Sequence, residues 1–163
     1  TKYSSTDTGA PVLTGASGSW TDLLDAVLVN GYGVKDPVGW SIAYSGVNKR
    51  AYRTPVGTNE FYIRIESRDQ AFGIRGYENM TDIDTGANPF PTVAQEANPS
   101  QRIDSGTVSP KEWIIYSDGK FIVYVIRDTN QVYPTIGCFG YRPSRVAGDD
   151  WSTVVSFGSG VSQ

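Results

Sequence analysis

Five carboxylates, Glu60, Glu66, Glu78, Asp82 and Asp84, are the residues of this chain best suited to reaction chemistry. A pair of them would suffice for glycoside hydrolysis if a cleft raised the pKa of one. Glu60 and Glu66 flank or alternate along the strand-like run 61–66, where solvated charge on an outer face is the ordinary role. Asp82 and Asp84 offer oxygens at alternate positions, as a calcium loop begins. Gly86 stands where the third ligand belongs and Val93 where the bidentate Glu belongs, so the run reads as a turn held by Asx hydrogen bonds.

The chain contains no histidine. That removes Ser-His-Asp and Cys-His nucleophiles, histidine metal ligands and the commonest general base together. Zinc needs several Cys or His ligands, and Cys138 is the only cysteine. A lone cysteine forms no internal disulfide, and its neighbours Thr135-Ile136-Gly137 and Phe139-Gly140 suggest a buried, inert thiol made in a reducing compartment. Asn30-Gly31-Tyr32-Gly33 has the glycines of a phosphate loop but follows a helix, where that chemistry needs the loop before one; helix termination accounts for it. Ten Tyr and four Trp raise a sugar-stacking face. Trp40, Tyr44, Tyr52 and Tyr62 are read instead as core-edge or interface residues of a β domain. No catalytic, cofactor-binding or metal-binding residue is assigned, no cofactor is expected, and the chain reads as a non-enzyme.

The elements that position these residues follow from pattern. A length of 163 residues fits one domain, 1–163. Residues 1–19 are rich in Ser, Thr and Gly with a small apolar anchor at Val12 and Leu13, and read as an extended arm. Trp20, Leu23, Leu24, Val27 and Leu28 recur at helical spacing, predicting a helix over 20–30, with Ser19 placed to cap it and Asn30-Gly31 to end it. About three turns is too short to stand alone, so the stripe must pack on a sheet. Residues 38–157 read as a β-rich body. Phe61, Ile63 and Ile65 alternate with Tyr62, Arg64 and Glu66, a half-buried strand, and Ala71 to Tyr77 follows after a polar break. Trp113 to Tyr116 and Phe121 to Ile126 flank Ser117-Asp118-Gly119-Lys120, a hairpin signal. Both strands are apolar on both faces, which places them centrally with the helix on one side. Residues 86–110, with four prolines, read as a long loop. The fold class is mainly β (α+β): a single antiparallel sheet or sandwich with one short N-terminal helix packed on it and an extended arm.

The net charge of −3 gives no basic field for nucleic-acid phosphates. The longest apolar run is far short of the roughly 20 residues that span a bilayer. The first residues lack a charged n-region and an apolar h-region, so no uncleaved secretion signal is expected. Only 19% of the chain is charged, which fits equally surfaces partly covered by neighbours and a polar surface built from Ser, Thr, Asn and Gly.

Several segments together resemble a group of small virion structural proteins of tailed bacteriophages. They are Gly9-Ala10-Pro11-Val12-Leu13-Thr14-Gly15; Leu23 to Gly33; Gly39-Trp40; Tyr44-Ser45-Gly46; Asn48-Lys49; Tyr52-Arg53; Phe61 to Ile65; and, most distinctive, Arg75 to Gly86 with Pro89-Phe90-Pro91-Thr92. The hairpin with Trp113 and Gly137-Cys138-Phe139-Gly140 also fit, while Arg145 to Gln163 departs from the pattern. The resemblance implies a non-enzymatic virion subunit, made in the bacterial cytoplasm, that stabilises the particle as a capsid decoration or cement protein. Tail, baseplate or collar component and virion carbohydrate-binding module are the alternatives. Its implied partners are the major capsid protein or tail and baseplate proteins and further copies of itself, with no nucleic acid and no membrane. The arm 1–19 and loop 86–110 are expected to contact neighbouring subunits.

Overall fold

The computed structural model describes residues 1–55, 61–95, 100–103, 108–128, 133–142 and 153–158. In chain order the strands are β1 (Lys2–Ser4), β2 (Ser41–Gly46), β3 (Lys49–Arg53), β4 (Tyr62–Arg68), β5 (Ala71–Met80), β6 (Gly86–Phe90), β7 (Ser100–Arg102), β8 (Glu112–Ser117), β9 (Phe121–Arg127), β10 (Thr135–Tyr141) and β11 (Thr153–Gly158). They form two antiparallel sheets, one in the order β1-β8-β9-β10-β11 and one in the order β2-β3-β4-β5-β6, with β7 also paired to β5. Side chains from both sheets share a single buried cluster, so the expected mainly β architecture is a two-sheet sandwich.

The predicted helix is present as α1 (Ser19–Leu24), continued by a π-helical segment, Asp25–Asn30. All five residues of its apolar stripe are fully buried. Trp20 stacks on Phe72 of β5 at 4.7 Å and meets Tyr124 of β9 edge-on at 5.3 Å. The helix thus contacts both sheets at once. Past Gly31 the chain returns so that Val38 and Gly39 donate to the carbonyls of Val27 and Leu28, satisfying acceptors a helix end leaves open. Gly31 and Gly33 both hold positive φ, and a Cβ on Gly33 would lie 2.1 Å from the Thr8 carbonyl oxygen. The glycines therefore end the helix and let the N-terminal segment lie against it.

The expected cap is corrected. Ser19 Oγ is buried with no hydrogen-bond partner among the described residues. The capping oxygen belongs to Ser67 of β4, whose Oγ accepts from the amides of Gly18 at 3.0 Å and Trp20 at 3.2 Å. With the N-cap Gly18 at φ 90, the helix start takes its acceptor from a facing strand.

The extended arm is also corrected. Residues 2–4 are an edge strand on β8, Tyr3 and Leu13 are buried, and Lys111 donates its amide to the Leu13 carbonyl at 2.8 Å. Tyr3 lies 6.1 Å from Tyr32, which meets Trp113 edge-on at 6.2 Å, so the segment is held by core aromatics of its own domain. The long loop 86–110 likewise contains two strands: Ala87 and Pro89 pair with Asn79 and Tyr77, and Gln101 pairs with Phe72. Residues 96–99 and 104–107 of that stretch lie outside the described residues. Where they are described, the arm and the loop pack on this chain, which removes the reason for assigning them to neighbours.

The hairpin is as expected, with Ser117 opposite Ile122. Only Gly119 in its turn has positive φ, at 96, while Asp118 Oδ1 accepts from the amides of Lys120 and Phe121. The strands are central, with the helix against their inner face.

Replacing Ser67 by Ala leaves the Gly18 and Trp20 amides buried without that acceptor and is expected to cost about 1–3 kcal/mol. Ser19→Ala is expected to leave stability unchanged or raise it. Urea denaturation of both variants checks the assignment; the reverse order would restore Ser19 as the cap.

Candidate functional site

Among the described residues the candidate carboxylates do not converge on a cleft. Glu60 lies outside the described residues. Glu66 faces Gly73 across β4 and β5, which puts it on the outer face, whereas Glu78, five positions beyond Gly73 in a strand of period two, points the other way. Glu66 lies 3.3 Å from both Arg64 and Arg68. Burial alone would raise its pKa; the Arg68 hydrogen bond and the charges of Arg68 and Arg64 outweigh that and hold it below the ordinary value. Glu78 accepts from Asn88 Nδ2. Held low in this way, Glu66 is not the neutral acid that glycoside hydrolysis needs.

Asp82 and Asp84 form the expected Asx turn, with Asp82 Oδ1 accepting the Asp84 amide at 2.7 Å. The Asp84 carboxylate turns away to Lys49 Nζ at 2.7 Å and Arg64 at 2.6 Å, while Arg64 Nε holds the Ile83 carbonyl at 2.8 Å. The turn is thereby folded over the outer face of β2, β3 and β4. Among the described residues no group of three or more metal-ligating side chains forms.

The aromatic residues divide. Tyr52 is buried, donating to Asp25 Oδ1 at 2.7 Å, and Arg50 reaches the other oxygen of Asp25 at 2.9 Å, so β3 grips the helix. Trp40 is buried, donating Nε1 to the Gly119 carbonyl at 2.9 Å and meeting Phe139 edge-on. Tyr44 and Tyr62 lie on the outer face, stacked at 6.0 Å over the small Ala51 between them. The Arg53 guanidinium sits 5.2 Å from the Tyr62 ring. Both rings are half-buried against these neighbours, which leaves little flat surface for a sugar.

A shallow cleft of about 240 Å³ lies between the β8–β9 turn and the segment after the helix, lined by Tyr3, Pro37, Val38 and Asp118 among others. Two amides of the turn occupy Asp118 Oδ1, and Arg142 reaches its Oδ2 at 3.4 Å. Lys111 and Asp128 form an ion pair at 3.4 Å with both side chains 1% exposed, and Lys111 Nζ donates to Ser109 at 2.7 Å.

The surface that sequence reasoning missed is the outer face of the five-stranded sheet. The ladder places Lys2, Tyr116, Val123 and Cys138 in one row and Ser4, Ile114, Val125 and Ile136 in the next. Glu112 and Arg127 close the face at one end. Tyr116 is 49% and Ile136 45% exposed, and Ile114, Val123 and Val125 are half-buried. Cys138 lies here, half-buried, and not in the core as expected. The signal was the apolar alternation on both faces of β8 and β9; one face covers the core and the other has no helix over it among the described residues.

No family model, curated protein or solved structure matches this chain.

Two outcomes follow. Hydrogen bonds from Lys49 and then Arg64 hold the Asp84 carboxyl below its usual pKa, against a smaller opposing effect of burial. The clamp's contribution is therefore present above the unfolded value of 3.8 and lost as pH falls through the lower folded value. Asp84→Asn should flatten the acid limb of a thermal-unfolding series below pH 4, approximately, relative to the parent; identical limbs would show that the clamp adds nothing. Lys111→Met alone is expected to cost about 3–5 kcal/mol because it removes the cation paired with a buried carboxylate, and adding Asp128→Leu should recover part of that loss. Denaturant unfolding of the single and double variants measures it.

Proposed function

We propose that this chain is a non-enzymatic structural subunit of a tailed-bacteriophage particle, stabilising the capsid as a decoration or cement protein. The observation that carries the reading is the apolar outer face of the five-stranded sheet, centred on Ile114, Tyr116, Val123, Val125 and Ile136. An antiparallel sheet with one face on its core ordinarily presents polar side chains on the other. Contiguous apolar surface of this kind marks a contact with another macromolecule.

Three further features support the reading. The face is rigid, because its strands are central and anchored through the core, so a partner need not order it on binding. The described candidate carboxylates Glu66, Glu78, Asp82 and Asp84 are engaged by cations, an amide or an asparagine, which suits scaffolding better than acid-base turnover. The segments that resemble virion proteins include Arg75 to Gly86, the run that carries the clamped Asp82 to Thr85 turn and so belongs to the rigid body. A glycan-binding role is less favoured, since Tyr44 and Tyr62 cover each other.

Quantitative mass spectrometry of purified particles against the major capsid protein tests this. A copy number comparable with that of the shell is the expected result. A small multiple set by ring symmetry would move the subunit to the neck, tail or baseplate. Absence from the particle would overturn the structural reading.

A further inference from the structure

The apolar face fits a second copy of itself. We infer that two copies of this chain pair face to face through the outer surface of β8 and β9, about a two-fold axis running nearly along the hairpin. This names a partner for the face on which the assembly reading rests.

The argument is one of register and charge. In the ladder Glu112 lies opposite Arg127, Ile114 opposite Val125, and Tyr116 opposite Val123. A two-fold axis between the strands and nearly parallel to them lays β8 of one copy over β9 of the other. Each opposed pair within a sheet then becomes an opposed pair between sheets. Ile114 meets Val125 of the second copy and Tyr116 meets Val123. At the open end Glu112 of each copy meets Arg127 of the other, so both rim charges are matched twice. Sheets of a sandwich pack in this aligned manner, with strand directions within about 30° of each other. Between the Glu112–Arg127 end and the Asp118–Arg142 end, the described side chains that β8, β9 and β10 present on this face are uncharged, with Lys2 at its β1 edge, so a strongly charged partner would bring ions onto an apolar surface without counterions. A second copy brings the same neutral middle and the complementary rim, as isologous contacts require.

Size sets the strength. Four strands about 4.8 Å apart and roughly six residues at about 3.4 Å give a face on the order of 300–400 Å². That is near half the roughly 800 Å² that each partner contributes to a standard stable interface. The pairing is therefore weak and concentration-dependent in free solution, and becomes persistent where other contacts in an assembly hold copies side by side.

Sedimentation-velocity ultracentrifugation of the full chain from about 1 µM to about 1 mM spans the range in which such a contact dissociates. The expected result is a reversible shift from monomer to dimer with rising concentration. Ile136→Glu and Tyr116→Glu change exposed positions and should retain the parent circular dichroism while weakening association more than tenfold. The rim supplies a test that stability cannot mimic. Glu112→Arg alone and Arg127→Glu alone each oppose like charges across the axis and should associate several-fold more weakly than the parent. Mixing the two variants should restore association, because the mixed dimer opposes two Arg with two Glu. A parent chain monomeric throughout the series, parent-like association of Ile136→Glu, or no recovery on mixing would each overturn the pairing. None of these bears on whether the chain is found in purified particles, so the two readings fail separately.

Discussion

The wedge of Trp20 between Phe72 and Tyr124 is the contact on which the rest of the molecule depends. Phe72 lies on one sheet and Tyr124 on the other, and the indole touches both. From Tyr124 the cluster continues to Phe139 and Trp40. A helix of two short parts has little stability alone, so its geometry is imposed by these neighbours. Ser67 supplies its cap, and Asp25, gripped by Arg50 and Tyr52, fixes its lower part. The buried Gln101 of β7 accepts from the Tyr124 hydroxyl and ties one sheet to the other beside the wedge. Aromatic contacts of this kind supply large apolar area with defined geometry, which specifies the angle between layers as well as holding them together.

Placing the helix inside the sandwich has a consequence for the surface. In a sheet covered on one side by a helix and on the other by solvent, both faces are accounted for. Here the helix and both inner faces share one interior, and each sheet must settle its outer face separately. The six-stranded sheet does so with charge: Lys49 and Arg64 hold Asp84, Arg64 and Arg68 flank Glu66, and Tyr44 leans on Tyr62. That face is closed by its own side chains and by the turn folded over it. The five-stranded sheet has no such turn among the described residues, and its rows of Ile, Val and Tyr remain open. The difference between the two faces, one self-satisfied and one unsatisfied, directs attention to the second.

What was legible in the sequence were features fixed by short-range periodicity. The stripe from Trp20 to Leu28, the alternation of Phe61 to Glu66 and the Asp-Gly turn each carry their pattern within a few residues, and each element stands where its pattern placed it. What was not legible depends on partners distant in sequence. Residues 2–4 become a strand only because β8 offers its edge, more than a hundred positions on. Pro89 sits in β6, at a sheet edge where a missing amide is tolerated, so the prolines that argued for a loop were compatible with a strand. Ser19 had the right type and position for a cap, yet the Ser67 hydroxyl reached the amides first. Glu66 was legible as outward charge on β4, but that Asp84 would clamp Lys49 and Arg64 depends on a turn folding across three strands.

The apolar alternation on both sides of β8 and β9 was read as a sign of central strands, and it is that; its second meaning emerges only once the helix is located. A strand apolar on both sides must be covered on both sides, and the described residues cover one. The hydrophobic effect is indifferent to whether the second cover is covalently attached, since what matters is area removed from water. A face of this size is comparable to the largest apolar patch on an ordinary monomer. It is also too small to hold a partner tightly by itself. Under the pairing inferred above, a surface between those limits makes contacts that form where copies are already concentrated and release where they are not. That property suits a subunit added to a preformed lattice, because a tight self-association would deplete the free protein before the lattice was reached.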